Sequence, residues 1–208
     1  AHELRNPLAP LRNVASLLRR SALTPVQQPL VDIMERQVGQ LRRLVEDLLE
    51  VSRISQGKIT LRREAISVSA AIYTALEAAQ PLIERRRQVL EVRLRSSASV
   101  LADAVRLSQV VTNLLTNASK FTPEAGVIAL STSDDDGCVL IEVRDTGIGI
   151  PADLLPRVFD LFIQGAATTG DQAQSGLGIG LSLVKRLVEM HGGSVRAASE
   201  GPNRGACF

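Results

Sequence analysis

The sequence predicts an α+β chain: a two-helix hairpin, followed by an α/β sandwich of helices on a mixed sheet. Three observations carry this. Over residues 1–56, apolar side chains recur at helical spacing, first Leu4, Leu8, Leu11, Ala15 and Leu18, then Met34, Leu41, Leu44, Leu48 and Val51 in a heptad rhythm. From about residue 59, strand-like runs alternate with helical windows. Two of those runs are joined through Asp134-Asp135-Asp136-Gly137. An Asp-Gly step between apolar runs is a hairpin signal, so the sheet is not purely parallel.

The hairpin of residues 1–56 turns around Ser21–Pro29, with a helix start at Thr24-Pro25, and stops at Gln56-Gly57-Lys58. Its apolar stripe is wider than one partner helix covers, which predicts dimerisation into a four-helix bundle. Residues 57–61 read as a linker and 62–208 as a second domain. Within 59–208 the patterns predict strands at 59–63, 88–95, 126–132, 138–145, 194–199 and 205–208. Helices are predicted at 68–86, 104–120 and 179–191. Residues 146–178, rich in Gly, Thr, Asp and Gln, read as a long loop that moves at low cost.

Composition narrows the function classes. The 208 residues are 45% hydrophobic and 22% charged, as in an ordinary globular protein. There is no Trp, one Tyr and four Phe, which argues against base stacking on single-stranded nucleic acid. The net charge is 24 − 22 = +2 with the arginines dispersed, so no nucleic-acid partner is expected. Cys138 and Cys207 are far apart and form neither a metal motif nor a disulfide framework, in keeping with a reducing cytoplasm. No apolar run approaches the roughly 20 residues of a membrane helix. The chain opens at Ala1-His2 inside a helical pattern. It is expected to be a cytoplasmic piece of something longer, with any membrane attachment lying upstream.

Four motifs carry chemistry. In HELRNPLAP, residues 2–10, His2 shares a helix face with Arg5, Asn6 and Ala9 and lies off the leucine stripe, so it points to water. A neutral imidazole is a competent nucleophile, and the adjacent Glu3 can orient it or take its proton. In QVVTNLLTNASKFTP, residues 109–123, Gln109, Asn113, Asn117 and Lys120 fall on one helix face. Amide oxygens suit Mg²⁺, and a lysine suits phosphate. In EVRDTGIGI, residues 142–150, a strand runs into Asp145, and Gly147 and Gly149 let the backbone turn towards a ligand. In SGLGIGLSLVKRLVEMHGG, residues 175–193, Gly176, Gly178 and Gly180 precede an amphipathic helix whose N-terminus suits an anion. His191 reads as a helix C-cap rather than a catalytic group. Phe159 and Phe162 read as an apolar anchor for the long loop.

Taken in order, these motifs resemble the boxes of sensor histidine kinases. Residues 2–10 resemble the histidine box, 109–123 the asparagine box, 145–150 the first glycine box, 159–165 the phenylalanine box and 176–181 the second glycine box. Residues 205–208 resemble a last glycine box. The resemblance covers essentially the whole chain. It implies a dimerisation and histidine-phosphotransfer hairpin, then an ATP-binding domain of the Bergerat type shared with gyrase- and chaperone-type ATPases. By that likeness His2 accepts the γ-phosphoryl group of ATP with help from Glu3. Asn6 sits at a position linked to phosphatase activity. Asn117, supported by Asn113 and Gln109, binds Mg²⁺. Lys120 reaches phosphate, Phe121 lines the pocket, and Asp145 accepts from the adenine amino group. Gly147, Gly149 and Ile150 flank the base. Gly176, Leu177, Gly178, Gly180 and Leu181 hold phosphates at the end of a lid over about 146–178. The implied partners are a second copy of the chain and the receiver domain of a response regulator. ATP-hydrolysing relatives carry a Glu base where this chain has Asn113, and an amide cannot take a proton from water, so a free ATPase is disfavoured.

Overall fold

The computed structural model describes residues 14, 18, 24–55, 60–163 and 178–208. The chain divides into two compact units, Ala1–Lys58 and Ile59–Phe208. His2, Glu3, Asn6, Gly176, Leu177 and most of the expected first helix lie outside the described residues, although Val14 and Leu18 are helical.

In the first unit, helix α1 spans Gln27–Ser55. Its start is fixed locally: the Thr24 carbonyl accepts from the amides of Gln27 and Gln28 at 2.9 and 3.1 Å. The Gln27 side-chain oxygen accepts the Thr24 amide at 3.0 Å. Helix α1 therefore begins within the segment expected as a turn, 21–29, and Pro29 falls in the first helical turn, where a missing N–H leaves no bond unmade. Along α1, Leu30, Ile33, Met34, Leu41 and Leu48 stay exposed, from 38% at Leu48 to 60% at Leu30. Met34, Leu41 and Leu48 belong to the stripe that the heptads forecast, and Leu30 and Ile33 extend it.

The second unit runs β1 (Glu64–Ser67), α2 (Val68–Arg85), β2 (Val89–Leu94), β3 (Ser99–Ala102), α3 (Ala104–Phe121), β4 (Val127–Asp135), β5 (Cys138–Asp145), a 3₁₀ turn (Leu155–Arg157), α4 (Gly180–Met190) and β6 (Ala206–Cys207). The main sheet has the order β2-β4-β5-β6, parallel only at β2–β4. Strands β1 and β3 form a separate antiparallel ribbon. Helix α3 packs between α2 and α4 and rests on β4 and β5. The interior joins Ile72 of α2, Val111 and Leu115 of α3, Leu183, Val184 and Leu187 of α4, and Ile128, Leu130 and Val143 of the sheet, all at most 1% exposed. In β4, alternation puts Ile128, Leu130 and Thr132 inward. The β4–β5 turn is the expected Asp-Gly step, with φ of 44° at Asp136 and 80° at Gly137. No helix among the described residues is long and apolar enough to cross a membrane.

Three sequence expectations change. The strand expected at 59–63 lies instead at Glu64–Ser67. Residues 62 and 63 are drawn off: the Arg62 amide donates to Asp103 Oδ2 at 3.0 Å, and the Arg63 guanidinium donates to the Met190 carbonyl. Strand β3 was not foreseen, since Ser99–Ala102 has only four residues. The strand expected at 194–199 reduces to one bridge between Ala198 and Cys207, the rest being irregular backbone.

Candidate functional site

Three segments meet around the C-terminal half of α3. Asp103 caps the start of α3, its carboxylate accepting the Arg106 amide at 3.1 Å. The one-sided burial of Val111, Leu114, Leu115 and Ala118 turns Asn113, Asn117 and Lys120 away from the core, half-buried. The side-chain amides of Asn113 and Asn117 make no hydrogen bond among the described residues. Gln109 differs: its amide oxygen accepts from Arg106 at 2.8 Å.

Opposite Asn117 stands the first turn of α4. A Cβ added at Gly180 would meet Asn117 Nδ2 at 3.8 Å, so the two helices approach here with only glycine between them. The N-cap of α4, Ile179, has helical backbone and offers no side-chain cap. The helix start therefore turns amides that no side chain caps among the described residues, and the positive end of its dipole, towards the Asn117 side. Gly178, at φ +70°, backs onto Ile163, and its carbonyl accepts the Phe162 amide at 3.2 Å. This bond joins the two stretches of chain that flank residues 164–177, which lie outside the described residues and include Gly176 and Leu177. The two phenylalanines before them separate. Phe159 packs edge-on against Phe208 with ring centroids 6.3 Å apart, whereas Phe162 is 56% exposed.

The third segment is the turn after β5. Asp145 is only 7% exposed. Its Oδ1 accepts the amides of Gly147 at 2.8 Å and Ala206 at 3.3 Å, while Oδ2 accepts nothing among the described residues. Burial raises its pKa, against the lowering pull of those two amides. The Ile148 amide donates to the Phe121 carbonyl at 3.1 Å, joining this turn to the end of α3. On its other side, Gly205 N donates to Gly147 O at 3.0 Å and Asn203 N to Ile148 O at 2.7 Å. Ser199 Oγ accepts the Ile150 amide at 2.9 Å and donates to the Gly205 carbonyl at 2.6 Å. Ser199 is thus a site residue that the sequence did not single out, and Ala206, within the segment that resembles a last glycine box, reaches the site through its backbone amide. Ser199 acts through long-range pairing to the turn, which leaves no local signal.

The glycines of this turn make way for the protein's own backbone. A Cβ at Gly147 would overlap the Phe121 carbonyl, and one at Gly149 the Gly201 carbonyl. Gly149 also has φ +68°. Gly149→Ala is expected to destabilise the second unit by roughly 2–4 kcal/mol, from left-handed strain plus overlap with backbone that cannot rotate away. Thermal denaturation should show a Tm lower by roughly 5–15 °C.

Lys120 is held down over its neighbour, with Nζ 4.8 Å from the Phe121 ring centroid. Burial lowers its pKa to about 8. Phe121 itself is 37% exposed and borders the site.

His191, the C-cap residue of α4, is fully engaged. Its Nδ1 lies 2.8 Å from the Leu187 carbonyl, and its Nε2 accepts the Asp103 amide at 3.0 Å. Accepting at Nε2 requires that the ring proton sit on Nδ1. No group of three or more His, Cys, Asp or Glu among the described residues could hold a metal ion, so a cation here would rest on amide oxygens and ligand phosphates.

Comparison with known proteins identifies the family. Residues 102–208 match the family described as "Histidine kinase-, DNA gyrase B-, and HSP90-like ATPase", and residues 1–57 match the "His Kinase A (phospho-acceptor) domain". Autoinducer 2 sensor kinase/phosphatase LuxQ of Vibrio parahaemolyticus is 33% identical over 96% of this chain. Signal transduction histidine-protein kinase BarA of Escherichia coli is 30% identical over 100% of it. The chain spans only 24% and 23% of those two proteins. Among solved structures, full-length ShkA in complex with AMPPNP superposes with a TM-score of 0.82 at 32% identity, covering all of this chain and 43% of that one. The Acinetobacter baumannii histidine kinase AdeS gives 0.71 at 25% identity, covering all of this chain and 95% of that one. The chain belongs to the sensor histidine kinases, with a phospho-acceptor domain followed by an ATPase domain of the kind shared with gyrase and chaperones.

Proposed function

We propose that this chain binds MgATP in its second unit, transfers the γ-phosphoryl group to His2, and passes it on to an aspartate of a response-regulator receiver domain. The observation that carries this is the convergence on α3. The open Oδ2 of Asp145 lies at one end, and Asn117 faces the uncapped start of α4 at the other. The Asp145 oxygen suits the exocyclic amine of adenine. The α4 amides, with Gly178, Gly180 and Leu181, suit phosphate oxygens, and Gly176 and Leu177 would extend that cradle. Lys120 adds a cation on the same face of α3. Ile150, half-buried beside the Asp145 turn, and the Phe121 ring supply apolar walls for a base.

Mg²⁺ fits this donor set. The half-buried amides of Asn117 and Asn113 make no hydrogen bond among the described residues, and Mg²⁺ commonly takes one or two protein oxygens and completes its shell with phosphates and water. Bound there, it would neutralise phosphate charge. Gln109 would support these residues through α3, since its own oxygen already serves Arg106. Phosphoryl transfer asks mainly for placement and charge neutralisation. What remains is a nucleophile, which His2 provides, with Glu3 as base or orienter and Asn6 serving dephosphorylation. Residues 1–56 would be the phosphotransfer hairpin, dimerising through the exposed Leu30, Ile33, Met34, Leu41 and Leu48 stripe of α1, and 62–208 the catalytic domain. The work would take place in the cytoplasm.

The test is transfer from γ-labelled MgATP to the chain. The expected product is labelled, acid-labile and base-stable, and α-labelled ATP gives none. A chain that binds ATP yet takes up no label would be a scaffold rather than a kinase.

Lys120 adds a pH dependence. Its folded pKa, about 8, lies below the ordinary 10.5. Between those values the unfolded chain binds more protons, so the free protein gains stability as pH rises through that window. Phosphate prefers the charged lysine, so ATP affinity is expected to run the other way. It should fall several-fold between about pH 7 and pH 9, and Lys120→Met should flatten the profile. Calorimetric titration at several pH values measures both.

A further inference from the structure

An α-helix leaves its last four carbonyls without helical partners. In α3 all four are satisfied, each from a different place. Ala118 O accepts the Thr122 amide at 3.0 Å, and Phe121 O accepts the Ile148 amide at 3.1 Å. Ser119 O accepts the Gln88 side-chain amide at 2.8 Å, and Lys120 O accepts the Arg86 guanidinium at 3.2 Å. Gln88 does more. Its amide nitrogen also lies 2.8 Å from Thr122 O and 3.2 Å from Pro123 O, and its oxygen accepts the Ser119 hydroxyl at 2.7 Å. Gln88 is 8% exposed and Ser119 is fully buried.

The donors are delivered by the end of α2. Arg87 takes φ +53°, and Gln88 N donates to Ile83 O at 3.1 Å while Arg87 N donates to Glu84 O at 2.9 Å. This is a Schellman end, which reverses the chain just past the helix. It sets Arg86 and Gln88 on either side of the left-handed residue, both reaching the same turn of α3. The clamped turn bears Lys120 and Phe121 and follows Asn117. Its other tie, Ile148 to Phe121, leads to the Asp145 turn.

We propose that Gln88 and Arg86 are positioning residues for the nucleotide site: they hold the last turn of α3 in the register that places Lys120, and through it fix phosphate affinity. This rests on the MgATP-binding reading above. Both residues act through the end of α3, so the test must separate placement from stability. Gln88→Met and Arg86→Met are made alone and together with Lys120→Met, and MgATP is titrated by calorimetry well below each variant's Tm. Each single variant is expected to weaken MgATP by about 3- to 10-fold, shrinking to less than about twofold when Lys120 is already methionine. Wild-type affinity in the single variants, or effects that multiply unchanged with Lys120→Met, overturns the proposal while leaving the site intact. A wild-type chain that binds no MgATP overturns the site itself. If the buried Gln88→Met does not fold, the half-exposed Arg86→Met decides the matter by the same cycle.

Discussion

His2→Gln is expected to lose all acid-labile label from γ-labelled MgATP, whereas His191→Gln keeps it. The chain contains two histidines, and chemistry distinguishes them. A phosphoryl acceptor needs a free nitrogen lone pair in reach of solvent or ligand. At His191 the Nε2 lone pair is occupied by the Asp103 amide and the Nδ1 proton is directed at the Leu187 carbonyl. Freeing Nε2 would break the bond joining the end of α4 to the start of α3, on which the site's amides sit, and freeing Nδ1 would break the bond that closes the last turn of α4. The helical pattern of HELRNPLAP instead sets His2 off its apolar stripe. A glutamine in place of His191 can still donate to one carbonyl and accept one amide, so that variant should fold and transfer. Electrophoresis of the labelled chain, followed by acid and alkali treatment, reads the result. Label that survives His2→Gln and disappears with His191→Gln would refute the assignment.

How much of this was legible beforehand depends on the range over which each residue acts. Helices α2, α3 and α4 were legible to within one or two residues, because their apolar periodicity and caps are local. The β4–β5 hairpin was legible from Asp136-Gly137 for the same reason. Asp145 and the glycines stood out as a strand end followed by small residues. The register of β1 was not legible. Its start is moved by Arg62 and Arg63, which bond to Asp103 and Met190 far along the chain. The 194–199 segment alternates weakly enough to resemble a strand, yet it finds one bridge only. Ser199, Arg86 and Gln88 were invisible as site residues, since each acts by donating or accepting across more than 30 residues of sequence. Gly147 and Gly149 were read as letting the backbone turn towards a ligand, whereas the groups that a Cβ there would meet are the protein's own carbonyls.

That last point makes Asp145 the most informative residue of the site. Asp145→Asn is expected to weaken ATP binding by about 100-fold while leaving Tm within a few degrees of wild type. The geometry forces an asymmetry between the two oxygens. Oδ1 takes the amides of Gly147 and Ala206, both donors, so only an acceptor can stand there. An asparagine must therefore keep its oxygen at that position and turn its NH₂ to where Oδ2 was. The fold loses nothing, because both amides stay satisfied and a buried charge is removed. The ligand loses its acceptor and meets a donor with its own exocyclic amine. A hydrogen bond to a charged partner contributes roughly 1.5–3 kcal/mol, and an unmatched donor in a dry site adds to the loss. At about 1.4 kcal/mol per decade, two decades in Kd follow. Asp145→Ala serves as the contrast: it orphans the Gly147 and Ala206 amides and should lower Tm as well as affinity. If Asp145→Asn binds ATP as tightly as wild type, adenine does not sit against this carboxylate, and the base must be placed elsewhere along α3.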